Sequence, residues 1–164
     1  MKKLGMAVAG VAGLIALIGF PSTVWSQGNI DPTEAFAWSK NAGWVNFAAS
    51  NGGVTVKSAG LSGYAWAENL GWIKLAAEGS TYDNTTTNNW GVKLVGQDLQ
   101  GFAWSKNAGW INFAPANGGV TIQGGGWFGG YAWGENVGWI HFRNVSPAYG
   151  VRTTGLGGTI LLVK

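Results

Sequence analysis

The sequence predicts an all-β fold of four tandem tryptophan-rich hairpin repeats, each of about three short strands, stacked as a solenoid or closed as a small barrel or propeller. Three observations predict this fold. One twelve-residue pattern occurs four times, charged residues are only 10% of the chain while glycine accounts for 29 residues, and the apolar residues show no helical spacing. A lone hairpin is marginal in water, so the repeats must pack on one another.

The first 26 residues have the pattern of a secretory signal peptide. A charged start, Met1 to Lys3, is followed by an apolar stretch from Leu4 to Phe20 and by small residues before an expected cleavage after Ser26. We therefore expect a mature single domain at 27–164, of 138 residues (164 − 26), that is secreted, extracellular or at the cell surface, with the periplasm as an alternative. A retained N-terminal anchor is the other interpretation.

Charge gives the mature chain little attraction for polyanions. Loss of Lys2 and Lys3 leaves eight basic side chains (10 − 2) against seven acidic ones, without a basic run. We therefore expect no nucleic-acid partner and no membrane span after removal of the leader. The chain has no cysteine, so its stability must come from packing and backbone pairing.

The repeats follow a short lead-in arm at 27–34 and are predicted at residues 36–60, 61–99, 100–126 and 127–155, with a terminal strand at 156–164 that caps or closes the array. The repeated pattern is the following: Phe36 to Phe47, Tyr64 to Leu75, Phe102 to Phe113, and Tyr131 to Phe142. Residues 78–89 form a polar insertion in the second repeat. Repeats one and three nearly duplicate each other, which indicates a duplicated two-repeat unit.

Each pattern contains a bend of the type Lys/Glu-Asn-x-Gly between its two tryptophans. Asn and Gly accept turn conformations at low cost, which predicts a tight hairpin with the tryptophans as a cross-strand pair. The bends alternate in charge, with Lys40, Glu68, Lys106 and Glu135 in order. Neighbouring hairpins therefore either form ion pairs between these residues or carry charges that drifted independently; both interpretations stay open.

Alternation along the strands sorts the side chains onto two faces. In each second strand the Ile or Val and the Phe or Leu share one face, which we expect to be the core. The tryptophans fall on the opposite face with Phe or Tyr and a polar residue. The candidate ligand-binding residues are the eight motif tryptophans: Trp38, Trp44, Trp66, Trp72, Trp104, Trp110, Trp133 and Trp139. Burial of the same tryptophans as a second core layer is the competing interpretation.

Catalytic and metal-binding patterns are not evident in the sequence. The single histidine, His141, stands where other repeats have Asn or Lys, so we expect a solvated strand residue. No nucleophile and base set, zinc site or glycosidase carboxylate pair is visible, and Asp83 to Thr85 match no EF-type calcium loop. We predict a non-enzymatic protein without cofactor or metal.

The rhythm of aromatic hairpins resembles the cell-wall-binding repeats of bacterial surface proteins, in which Trp and Tyr from successive hairpins frame ligand pockets. It departs from them in repeat length and in the Asn-x-Gly bend. The leading hypothesis is a secreted bacterial module that binds glycan or cell-wall material through its tryptophans. The alternative is a structural subunit of an extracellular filament, sheath or matrix, whose partner is another copy of itself.

Overall fold

A computed structural model describes residues 28–155; the predicted signal peptide and the predicted terminal strand at 156–164 lie outside this part. The described chain consists of thirteen short strands and one 3-10 turn at Gly124–Gly126. The strands are β1 (Ile30–Ser39), β2 (Gly43–Asn46), β3 (Gly53–Val56), β4 (Leu61–Ala67), β5 (Gly71–Lys74), β6 (Val92–Val95), β7 (Asp98–Ser105), β8 (Gly109–Asn112), β9 (Gly119–Ile122), β10 (Phe128–Gly134), β11 (Gly138–His141), β12 (Arg143–Val145) and β13 (Ala148–Thr153).

Four antiparallel hairpins form a closed ring of eight strands. Hairpins 1 to 4 are β1–β2, β4–β5, β7–β8 and β10–β11, and each pairs with the next through β2–β4, β5–β7 and β8–β10. The ring closes where Ser39 of β1 pairs with Ile140 of β11. The all-β prediction is confirmed, and of the arrangements left open the closed barrel is the one found. The solenoid is excluded because the last hairpin pairs with the first.

A third strand in each repeat extends the second strand of the hairpin after a loop. Val54 at the start of β3 donates its backbone N–H to the carbonyl of Phe47, at 2.9 Å, so β3 resumes the direction of β2. The equivalent bond in the fourth repeat runs from Val151 to Phe142, at 3.2 Å. Strand β13 therefore takes the place of β3 in the last repeat, and its pairing with β1 places residues 30–34 in a strand rather than in the expected lead-in arm.

The core fills the inside of the barrel, as the alternation predicts. Small alanines on the first strands pair with Val or Ile on the second strands, and a larger Phe or Leu side chain follows two positions after each Val or Ile. These inward side chains are at most 3% exposed: Ala37, Val45, Phe47, Ala65, Ile73, Leu75, Ala103, Ile111, Phe113, Ala132, Ile140 and Phe142. An eight-stranded barrel is just wide enough for its interior to be filled in this way.

The bends meet at one end of the barrel, where asparagine side chains connect hairpins 2, 3 and 4 each to the hairpin before it. Asn69 Nδ2 donates to the carbonyl of Asn41 at 3.2 Å, and Asn107 Nδ2 donates to the carbonyl of Leu70 at 2.8 Å. Glu68 accepts a hydrogen bond from the backbone N–H of Trp44 at 3.0 Å. The ion pairs left open for Lys40 and Glu68 are not formed in residues 28–155, and hydrogen bonds to backbone hold adjacent bends instead.

Gly109 tests the conformational requirement of the bends directly. Its φ is +79°, and nothing lies within 4 Å of where a Cβ would stand. Gly109→Ala is therefore expected to lower the free energy of unfolding by about 1–2 kcal/mol through backbone strain alone. Gly124→Ala is the control, because that position is equally open without a positive φ. Equal losses in urea denaturation would contradict a left-handed requirement at Gly109.

An ion pair and its hydrogen bonds fasten the closing strand to the first one. Arg152 of β13 pairs with Asp31 of β1, and Asp31 Oδ1 also accepts from the Thr33 hydroxyl at 2.7 Å and from the Thr33 N–H at 3.0 Å. These hydrogen bonds, the one from Arg152 first, lower the pKa of Asp31 from 3.8 to about 2. Asp31 therefore stabilises the fold as a carboxylate.

The lowered pKa of Asp31 predicts a pH dependence of stability. Because the pKa is lower in the folded chain, the contribution is complete above pH 3.8 and is lost as the pH falls through about 2. Asp31→Asn is expected to melt below the wild-type Tm at pH 5, with a difference that shrinks toward pH 2. Thermal melts across this range check it; a difference independent of pH would show that the charge of Asp31 contributes nothing.

Candidate functional site

The motif tryptophans lie on the outside of the barrel, opposite the core face. Seven of the eight are 38–45% exposed, and Trp44 is half-buried. The aromatic residues of the first strands share this face at 37–41% exposure. We define the aromatic belt as the eight motif tryptophans together with Phe36, Tyr64, Phe102 and Tyr131. The competing interpretation, in which the tryptophans form a second dry core layer, is wrong because alternation turns every one of them outward.

Edge-to-face contacts within each hairpin fix the rings of the belt. Trp38 and Trp44 stand directly opposite each other across β1 and β2, with ring centroids 4.9 Å apart at 62°. The corresponding pairs in hairpins 2 and 3 have separations of 4.9 and 4.7 Å. Such pairs contribute about 0.5–1.5 kcal/mol beyond burial. The belt is therefore an ordered surface, with ring faces left open to solvent.

The loop after each hairpin places one residue beside the second tryptophan of the next hairpin around the ring. This residue lies two places before the Val that resumes the strand, and in repeat order it is Gly52, Trp90, Gly118 and Tyr149. A Cβ at Gly52 would stand 2.6 Å from the Trp72 ring, and one at Gly118 would stand 2.7 Å from the Trp139 ring. In hairpins 2 and 4 the indole therefore lies directly on the loop backbone.

At hairpins 1 and 3 the same loop position carries an aromatic ring instead. Tyr149 meets Trp44 with centroids 5.2 Å apart at 83°, and Trp90 meets Trp110 at 5.2 Å and 82°. Each perpendicular pair forms a corner, and each corner opens onto a cleft. These are the two clefts that we define as cleft 1, at hairpin 1, and cleft 2, at hairpin 3.

Cleft 1 has an aromatic floor and a polar rim. It encloses about 620 Å³, and the residues that line it include Phe36, Trp44, Trp127 and Tyr149, with Thr33, Glu34, Arg143 and Asn144 at the rim. The Arg143 guanidinium lies 4.2 Å from the centroid of the Trp127 ring. This contact orders both side chains at the mouth of the cleft.

Cleft 2 encloses about 390 Å³ and has an uncharged lining of three aromatic rings and a polar loop: Asn84, Thr85, Thr86, Thr87, Trp90, Phe102 and Trp110. The loop is held by its own side chains. Asn89 Oδ1 accepts from the backbone N–H groups of Thr85 and Thr86 at 3.0 and 2.8 Å. The predicted insertion at 78–89 is thus an ordered loop, and its residues 84–87 line the cleft beside the aromatic rings.

His141 contacts the Tyr149 side of cleft 1 and is half-buried, rather than the solvated residue that its sequence position predicted. Its ring stacks on Tyr131 at 4.2 Å and 9°, and its Nδ1 lies 2.8 Å from the Tyr149 hydroxyl. Burial lowers the pKa of His141 and raises that of Tyr149, which Tyr131 raises further. Both groups are therefore held in their uncharged forms, and the tyrosine wall is fixed by a neutral hydrogen bond.

Three aromatic side chains that line the clefts were missed by the sequence analysis: Trp90, Trp127 and Tyr149. All three lie outside the repeated pattern, so the repeat gave no reason to select them. The sequence does contain a signal for two of them, because Trp90 and Tyr149 align with Gly52 and Gly118. Each of these four residues comes immediately before a Gly-Val pair. The alternation of Gly with an aromatic residue also repeats the predicted two-repeat unit.

The remaining chemistry of residues 28–155 is sparse. No group of three or more His, Cys, Asp or Glu side chains in this part is placed to hold a metal ion. Asn84, expected in a polar loop, donates to the Tyr82 carbonyl at 3.1 Å and accepts from the Gly91 N–H at 3.0 Å. In the same residues, no helix has the length and apolar character needed to cross a membrane. Comparison with protein-family models, curated proteins and solved structures found no match to this chain.

Proposed function

We propose that the protein is a secreted, non-enzymatic bacterial module that binds glycan or cell-wall material through its outward tryptophans. The observation that carries the proposal is the solvent-facing aromatic belt, with all eight motif tryptophans turned away from the core and two corners opened into clefts. Pyranose rings stack their C–H faces on indoles while their hydroxyls take hydrogen bonds. Both clefts combine an aromatic floor with the few polar groups that such recognition requires.

The size of the clefts fits one or a few sugar rings. Their volumes of about 620 and 390 Å³ fall within the range of about 300–1,000 Å³ usual for small-ligand sites. Both are open at the surface of the barrel, so a polymer can pass across them without threading an end. Several weak contacts with one polymer would act together through their high effective concentration.

Affinity gel electrophoresis and pull-down of the chain 27–164 test this proposal. The gels contain hydroxyethylcellulose, xylan, laminarin or glycol chitin, and the pull-downs use microcrystalline cellulose, chitin or bacterial sacculi. We expect retardation or capture by at least one polymer, with a change in tryptophan fluorescence. No capture by any of them, together with unchanged fluorescence, would remove the proposal.

A second candidate function is a self-associating structural subunit, which the belt also supports. Eleven exposed aromatic side chains on one surface exceed the scattered apolar residues normal for a monomer. Edge pairing between copies has less support, because each strand of the eight-strand ring already has partners on both sides. Analytical ultracentrifugation over a hundredfold concentration range separates the two functions. A monomer at every concentration would rule out assembly through the belt.

A further inference from the structure

The two clefts lie on opposite sides of the barrel. The hairpins follow one another around the ring in the order 1, 2, 3, 4, and hairpin 4 pairs back onto hairpin 1. Cleft 1 belongs to hairpin 1 and cleft 2 to hairpin 3, so hairpin 2 separates them on one side and hairpin 4 on the other. Both clefts face outward, so their openings point away from each other.

The aromatic corners of the two clefts are also built in the same way from equivalent repeat positions. Phe36 and Trp44 of cleft 1 recur as Phe102 and Trp110 of cleft 2, each 66 positions later. The corner angles of 83° and 82° at an identical centroid separation of 5.2 Å show the same ring geometry. Because Gly52 and Gly118 bring the loop onto the tryptophans of hairpins 2 and 4, the alternation along the chain forms this two-ring corner twice rather than four times.

We propose that the protein is bivalent and cross-links two separate strands of a neutral polysaccharide, one in each cleft. This inference rests on the proposed function and adds to it a valency and a ligand class. A single strand would have to wrap half of the barrel to reach both clefts, whereas two strands occupy them without bending. Binding at opposite faces therefore joins two polymer strands instead of increasing the affinity for one strand.

The lining of the clefts favours an uncharged ligand. Cleft 2 presents only amide, hydroxyl and aromatic groups. Cleft 1 contains one acidic and one basic side chain, Glu34 and Arg143, which leave its formal charge balanced. A glycan with equatorial hydroxyls offers flat C–H faces to the rings and hydroxyls to the rim, and it brings no charge that either cleft would have to neutralise.

The test is a bridging assay with single-cleft variants. Microcrystalline cellulose with fluorescein-labelled hydroxyethylcellulose, and insoluble chitin with labelled glycol chitin, supply the two strands. Tyr149→Gly and Trp90→Gly each convert one cleft to the glycine arrangement that hairpins 4 and 2 already use. The wild-type chain is expected to recruit labelled polymer to the solid, and each single variant to lose at least 80% of that recruitment while still binding the solid; the double variant binds neither.

Several results would overturn the bivalent arrangement. They are wild-type binding without recruitment of labelled polymer, recruitment unchanged in both single variants, or binding restricted to anionic polymers such as sacculi. Capture of no polymer at all would remove the proposed function as well, which separates the two failures. Sedimentation velocity of every variant completes the test, because bridging by a dimer with one site per subunit would contradict two sites on one chain.

Discussion

Replacing Phe142 with alanine is expected to lower the free energy of unfolding by about 3–5 kcal/mol. Its ring is 0% exposed and lies where three hairpins meet inside the barrel. It stacks on Phe128 at 6.0 Å, meets Phe47 edge-on at 5.4 Å and makes a tilted contact with Phe113 at 5.6 Å. Removing it leaves a cavity that a closed ring of paired strands cannot collapse to fill. Because whole domains have only about 5–15 kcal/mol of stability, the variant is expected to fold marginally.

Phe142→Leu is the matched control, since Leu75 holds the equivalent position in the second repeat. Leucine keeps the site apolar and most of its volume, so we expect a loss below about 1.5 kcal/mol. Urea denaturation followed by circular dichroism measures both variants against the wild-type chain. Similar small losses in the two variants would mean that the phenylalanine cluster does not hold the barrel together.

The two faces of each hairpin could be predicted from the sequence because strand side chains alternate strictly. Once Trp38 and Trp44 are placed on one face, Ala37 and Val45 must lie on the other. The same alternation in all four repeats separates a face of small and aliphatic residues from a face of tryptophans with polar neighbours. The face of small and aliphatic residues is therefore the one expected to be buried. Glycine at the end of each bend was likewise predictable, because the turn requires a positive φ there.

Closure of the ring could not be predicted from the repeats. Identical hairpins can stack in an open array or return to the first one, and the choice depends on strand tilt and on the number of copies rather than on any local pattern. The pairing of Ser39 with Ile140 joins residues about a hundred positions apart. The pairing of the closing strand, β13, with β1 could not be predicted for the same reason.

Trp44→Ala with Trp110→Ala is expected to abolish most glycan binding, with the Kd of each cleft raised about 30-fold or more. A ring at the centre of an aromatic binding site is a typical hot spot that contributes about 2 kcal/mol, and 1.4 kcal/mol corresponds to a tenfold change. Both tryptophans form the corner of a cleft with a second ring 5.2 Å away. Isothermal titration with the soluble glycan that retards the wild-type chain measures the effect.

Trp72→Ala with Trp139→Ala provides the control that distinguishes the clefts from the belt as a whole. These tryptophans occupy the same repeat position, on the same outer face, at 40% and 45% exposure, but they lie against the loops of Gly52 and Gly118. We expect their removal to change the Kd less than about threefold. Equal weakening in the two double variants would assign binding to the entire aromatic belt, and full binding in both would exclude these four tryptophans as stacking residues. The comparison thus separates two pairs of tryptophans at the same repeat position, one pair beside an aromatic loop residue and the other beside glycine.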